Sequence, residues 1–200
     1  MGKFQVETCE IEGLKVITPT VFGDERGYFM ETWNDRDLRE NGLNMVFVQD
    51  NQSMSRKGVL RGLHFQKQHP QGKLVRAING RVFDVAVDLR SDSSTFGQWY
   101  GIELTAENKK QFYIPEGFAH GFLVLSDTAE FCYKTTDFYR PDDEGGLAWN
   151  DPDIAVAWPE VTGTGDGTAS AQGYTLSDGT PLSLSKKDEL QPRLRDAFKF

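Results

Sequence analysis

The dipeptide Asn79-Gly80, set between two runs of alternating residues, constrains this chain more than any other local feature. Asn-Gly supplies the two positive-φ positions of a type I′ turn, whose twist matches that of paired antiparallel strands. The sequence therefore predicts a hairpin of Lys73–Ile78 with Arg81–Leu89. In the second arm Phe83, Val85, Val87 and Leu89 share one face, and Asp84, Ala86 and Asp88 share the other. Pairing through the turn sets Val82 opposite Ala77, Asp84 opposite Val75 and Ala86 opposite Lys73, leaving Lys73 and Asp84 as diagonal neighbours. A face on which charges alternate with Val75, Ala77 and Ala86 either lines a cavity or meets solvent, and the pattern alone allows both.

Similar β-type runs recur at Leu14–Thr18, Met45–Asn51, Gly97–Thr105, Gln111–Ile114, Gly117–Leu125 and Glu130–Tyr139. Phe47, Gln49 and Asn51 share one strand face, as do Phe131, Tyr133, Thr135, Asp137 and Tyr139. Many short strands separated by turn signals predict an all-β fold, a sandwich or jelly-roll barrel with a few short helices. Helical signals are confined to Asn34–Asn41, closed by Asn41-Gly42, and to Ser185 with Asp188 three residues on. The 200 residues fit one domain, 1–200. The Gly/Thr/Ser/Asp-rich stretch Val161–Gly173 reads as a flexible loop within an insert over 161–183.

The formal net charge of −8 disfavours nucleic acid as a partner, because that recognition rests on basic surfaces. No run approaches the roughly 18 apolar residues of a membrane-spanning helix. Met1–Glu12 carries no apolar run of a secretory signal, and Cys9 and Cys132 stand far apart, so a reducing cytoplasm is expected. The three histidines, His64, His69 and His120, lack ligand spacing, so no metal is expected.

Four strings carry the chemistry: Asp24-Glu25-Arg26-Gly27-Tyr28-Phe29, Val48-Gln49-Asp50-Asn51, Leu60-Arg61-Gly62-Leu63-His64-Phe65-Gln66, and Ile114-Pro115-Glu116-Gly117-Phe118-Ala119-His120-Gly121-Phe122. With Gly72-Lys73-Leu74-Val75, Tyr133-Lys134-Thr135-Thr136 and Ser185-Lys186-Lys187-Asp188, they make the chain resemble the dTDP-4-dehydrorhamnose 3,5-epimerases, in order, from about Gly13 to Leu190. The resemblance implies a cupin-like jelly roll that forms a homodimer. It also implies an isomerase that inverts C5 and C3 of dTDP-4-dehydro-6-deoxy-D-glucose, a step in dTDP-L-rhamnose and hence polysaccharide biosynthesis. Both carbons lie α to the C4 ketone. Their inversion needs a base, a group that stabilises the enolate, and an acid on the opposite ring face, but no redox cofactor.

By the same resemblance His64 is the base, Asp188 its carboxylate partner, Tyr133 the acid, and Lys73 the cation at the enolate oxygen. Substrate contacts are implied for Arg26, Phe29, Glu31, Gln49, Asp50, Asn51, Arg61, Lys73, His120, Tyr139, Glu144 and Lys187. Two parity problems accompany this assignment. Asp50 alternates with Gln49 and Asn51, so its side chain should point away. Arg61 and His64 have opposite parity, which requires a bend or bulge at Gly62. The insert before Ser185 departs from the family's short connection, and it bears on where Lys187 and Asp188 lie. A single-carbon epimerase on a related nucleotide sugar, or a non-catalytic cupin-like carbohydrate-binding protein, are the other readings.

Overall fold

Alternation decides which side chains pack, and in the computed structural model, which describes residues 3–200, it yields strands almost throughout. They begin with β1 (Phe4–Thr8), β2 (Lys15–Pro19), β3 (Val21–Asp24) and β4 (Gly27–Met30). Helix α1 (Asp35–Glu40) follows, then β5 (Gln49–Arg56), β6 (Leu60–Gln66), β7 (Lys73–Asn79) and β8 (Arg81–Asp88). Next come β9 (Trp99–Thr105), β10 (Gln111–Ile114), β11 (Phe118–Val124) and β12 (Thr128–Thr135). The short strands β13 (Glu144–Gly146), β14 (Val161–Gly163) and β15 (Tyr174–Leu176) complete the series. One sheet has the order β1-β2-β10-β7-β12-β5 and a second β13-β6-β11-β8-β9, while β3–β4 and β14–β15 are separate hairpins.

The predicted hairpin at Asn79-Gly80 does not form. β7 pairs with β10 and β12, and β8 pairs with β11 and β9, so the chain changes sheets at the turn. The expected pairs Val82–Ala77, Asp84–Val75 and Ala86–Lys73 are therefore absent. The reason is burial on both sides. Val75, Ala77, Val82 and Ala86 belong to one inner core with Phe112, Ile114, Phe122 and Phe131, and the strands meet face to face across it. Only Gly80, with φ +73°, is left-handed at the turn; a Cβ there would lie 2.1 Å from the Thr128 carbonyl oxygen. The Arg81 amide donates to Ser126 Oγ at 2.7 Å, docking the corner onto the β11–β12 connection.

Outer faces are covered as well. Phe65, Val85, Val87, Ala119 and Leu123 pack beneath Leu147, Trp149, Trp158, Leu176 and Leu182. Ile17, Leu74 and Tyr113 are capped by Leu38 of α1 and by Leu43. The Asn34 side chain accepts the Asp37 amide at 3.2 Å, an N-cap worth about 1 kcal/mol. Strand β11 thus reads as a nearly continuous apolar run because both of its faces are buried.

The stretch expected as a flexible loop, Val161–Gly173, is mostly exposed and without strand beyond Gly163, but it is tied to the fold at several points. β14 and β15 pair, Trp149 Nε1 donates to the Ala169 carbonyl at 2.9 Å, and Ala169, Ala171, Leu176 and Leu182 are buried. Beyond it, Ser183 is bonded on both sides of the β6 entry: its amide donates to Gly58 O and its carbonyl accepts from Leu60 N, each at 2.9 Å. Other boundaries shifted less. Met45–Val48 lies outside β5, with Phe47 edge-on to Trp33 at 4.9 Å, and β12 ends at Thr135 rather than Tyr139.

Candidate active site

Strand β5 ends one sheet and β6 lies next to the end of the other, so the sandwich opens between them into a cleft of about 740 Å³. Along β5, Gln49, Asn51 and Ser53 face this cleft; on β12 so do Phe131, Tyr133 and Thr135. On β6 both Arg61 and His64 face it, despite opposite parity. Register explains this: His120 pairs with His64 but Phe122 pairs with Arg61, so β6 carries one extra residue. Gly62 sits there at φ +128°, and a Cβ would come within 2.6 Å of Gly121 Cα. No residue with a side chain fits.

His64 Nε2 lies 2.5 Å from Asp188 Oδ1, although 124 residues separate them. Asp188 is only 3% exposed, in a short 3₁₀ turn whose first amide donates to Ser185 Oγ at 3.2 Å. The predicted cap and the pairing with His64 coexist. Burial alone would raise the Asp188 carboxyl, but the bond to His64 and that near Ser185 hold it below the usual range. With Asp188 accepting from Nε2, Nδ1 is the nitrogen left with a lone pair.

A second histidine–carboxylate pair lies deeper. His120 Nε2 is 2.9 Å from Asp84 Oδ2, both almost fully buried. Here burial dominates: it pushes Asp84 up, against His120 and Lys73, and pushes His120 down, against Asp84. Lys73 is also buried, which lowers its ammonium to about 8 despite the opposing pull of Asp84 and Glu144. Asp84 still acts on Lys73 electrostatically, but from the opposite sheet rather than along a hairpin. Tyr133 is raised by burial, against the lowering influence of Arg61, so the phenol is held protonated.

At the mouth, Lys187 Nζ is 2.7 Å from Glu144 Oε1, and Gln49 Oε1 accepts the Tyr139 amide at 3.1 Å. Gln49 Nε2 donates to Asn51 Oδ1 at 2.8 Å, and Arg61 Nε to Ser55 Oγ at 3.0 Å. Of the residues singled out in the sequence, His64, Tyr133, Asp188, Lys73, Gln49, Asn51, Arg61, His120, Tyr139, Glu144 and Lys187 line this one cleft. Asp50 does not: its side chain meets Lys134 at 2.6 Å on the other face, as strand alternation requires. Nor do Arg26, Phe29 and Glu31. The β3–β4 hairpin and the residue after it carry them away, with Arg26 bonded to Asp24 and Glu31 to Lys3 and Asn34. Asp84 as the partner of His120 was not foreseen, nor were Phe122 and Phe131 as parts of the cleft floor. Their placement follows from the β8–β11–β12 arrangement, which no local pattern specifies.

Comparison with known proteins identifies the family and the fold. The family model of dTDP-4-dehydrorhamnose 3,5-epimerase matches residues 8–196. The enzyme of that name from Methanothermobacter thermautotrophicus is 56% identical over 159 residues, 80% of this chain and 86% of that one. The Escherichia coli enzyme is 54% identical over 177 residues, 88% and 96%. A solved dTDP-6-deoxy-D-glucose-3,5-epimerase of Legionella pneumophila, in complex with dTDP-4-keto-L-rhamnose, superposes with a TM-score of 0.84 at 46% identity, covering 96% of this chain and 94% of that chain. With its two-sheet cupin-like jelly roll and this cleft, the chain belongs to the dTDP-4-dehydrorhamnose 3,5-epimerase family of isomerases.

Proposed function

We propose that the epimerase activity of this chain, conversion of dTDP-4-dehydro-6-deoxy-D-glucose to dTDP-4-dehydro-L-rhamnose, runs on the His64–Asp188 pair as base and Tyr133 as acid. The observation that carries this reading is the 2.5 Å contact between His64 and Asp188 inside the cleft that also holds Tyr133 and Lys73. Asp188 fixes the imidazole tautomer and stabilises the imidazolium that forms when Nδ1 takes the proton from C5 or C3. Negative charge then develops on the C4 oxygen. Lys73, charged below pH ~8, and the nearby His120 ring supply the electrostatic stabilisation. Tyr133 returns a proton from the opposite face; its raised pKa keeps that proton available, and Arg61 eases its departure. No electron transfer occurs, so the residues named suffice without a redox cofactor.

Arg61 and Lys187 offer cationic donors for a pyrophosphate at the mouth, and Gln49 and Asn51 offer amides. Arg26 and Phe29 on the β3–β4 hairpin, and Glu31 just after it, do not line the cleft of their own chain. That hairpin leaves Phe22, Tyr28 and Phe29 more than half exposed, an apolar surface that supports a homodimer in which it meets the second copy. We place the enzyme in the cytoplasm, where free Cys9 and Cys132 are stable; none of the described helices is long and apolar enough to cross a membrane.

The test is turnover of dTDP-4-dehydro-6-deoxyglucose in deuterated water without added metal, followed by NMR. Deuterium should enter at both C3 and C5. Entry at one carbon alone would reduce the chain to a mono-epimerase.

A further inference from the structure

The insert over 161–183 contributes only Ser183 to the lining of the cleft, yet it is bonded to the segment that follows, which carries Asp188. The Ala171 amide donates to Glu189 Oε1 at 3.3 Å, and Arg193 Nη2 donates to the Gly167 carbonyl. The anchor behind these bonds is firm. Ala169, Ala171, Leu176 and Leu182 are buried in one cluster with Trp149 and Trp158, and Trp149 Nε1 donates to the Ala169 carbonyl.

Asp188 needs an anchor of this kind. It opens a 3₁₀ turn of only three residues, Asp188–Leu190, and so short a turn does not fix its own position. The amides of Asp188 and Glu189 both donate to the Ser185 carbonyl, which belongs to the same segment. The nearest backbone ties to the barrel are Ser183, bonded to Gly58 and Leu60, and Pro192, whose carbonyl accepts the Ala148 amide. Between those points, among the described residues, three side chains bond to the rest of the chain: Asp188 to His64, Lys187 to Glu144 and Glu189 to Ala171. The first two take part in the chemistry. His64 gains and loses a proton in each turnover, and Lys187 is a cation offered to the pyrophosphate. The bond from Glu189 to the insert is the one that the reaction leaves unchanged.

We propose that Glu189 is a positioning residue, whose bond to the insert holds the Asp188 turn against His64 while the charge on the imidazole changes. The proposal rests on the epimerase reading above and adds to it the part that keeps the base aligned. A misplacement of about 1 Å at a catalytic pair costs on the order of 100-fold in rate. Loss of one constraint among several should cost less, about tenfold.

The experiment compares Glu189→Ala and Glu189→Gln with the wild type on dTDP-4-dehydro-6-deoxyglucose. Glutamine keeps an oxygen acceptor for the Ala171 amide, and alanine does not. Glu189→Ala should lower kcat about tenfold with KM changed by less than about threefold, and Glu189→Gln should restore most of the rate. A second readout needs no turnover. The Nε2 proton between His64 and Asp188 should give a far-downfield proton resonance that is absent from His64→Ala. It should be sharp in the wild type and in Glu189→Gln, and broadened by exchange with water in Glu189→Ala. Wild-type kcat in Glu189→Ala, a loss carried by KM alone, or equal losses in the two variants would overturn the proposal. So would a resonance unchanged in Glu189→Ala or missing from the wild type. Should His64→Ala retain full turnover, the epimerase reading fails, and the resonance still decides whether Glu189 holds the turn.

Discussion

The cleft contains two histidine–carboxylate pairs of like chemistry and opposite electrostatics. His64–Asp188 joins a strand to a turn 124 residues away, with the imidazole about one quarter exposed and the carboxyl held low. His120–Asp84 joins adjacent strands in full burial, with the carboxyl pushed up and the imidazole pushed down. Solvent access makes the difference. A pair at the cleft wall can tolerate imidazolium during a reaction, because water and the Asp188 charge both stabilise it. A pair sealed in the floor resists any change of charge and is better suited to donating hydrogen bonds toward a developing oxyanion. Similar residues can therefore serve as a proton carrier in one place and as fixed scaffolding in another.

Substitutions that break this contrast should differ in size. Asp188→Asn leaves the geometry but fixes the wrong tautomer, and kcat should fall about 10³-fold with little change in KM. Steady-state kinetics check it; a loss below tenfold would deny Asp188 its role. Lys73 comes next. Its lowered pKa means that the ammonium is present below pH ~8 and lost above it, so kcat/KM should decline as pH rises through about 8. Lys73→Met should abolish that limb along with about 10² of the rate, while Lys73→Arg should move the limb beyond the measurable range. The smallest effect is expected from Asp84→Asn. Asp84 raises the Lys73 pKa, so removing its charge should shift the alkaline limb to lower pH and cost less than tenfold in kcat at pH 7. A loss matching that of Asp188→Asn would erase the distinction between the pairs.

How far the sequence anticipated this site depended on whether a feature was local. Gln49 and Asn51 share a strand face, and Arg61, Gly62 and His64 sit within four residues; their parity conflict pointed to the irregularity that the register confirms. The turn at Asn79-Gly80 misled because a tight corner looks the same whether two strands lie edge to edge or face to face. Only the competition for the edges of β7 and β8 decides, and that involves β9–β12. Asp84 was noticed beside Lys73 but not joined to His120, for the same reason. Composition did not reveal how the insert is anchored: Ala169, Ala171, Leu176 and Leu182, scattered among its glycines and threonines, pack with Trp149 and Trp158 in one cluster.

The account turns on removal of a proton at one ring face and its return at the other, and the two half-events can be separated. Tyr133→Phe, incubated with dTDP-4-dehydro-6-deoxyglucose in deuterated water, should still exchange hydrogen at C5 through His64 while yielding almost no inverted product. His64→Ala should show neither exchange nor inversion. Inverted product from Tyr133→Phe at the wild-type rate, or undiminished exchange in His64→Ala, would contradict the assignment of base and acid.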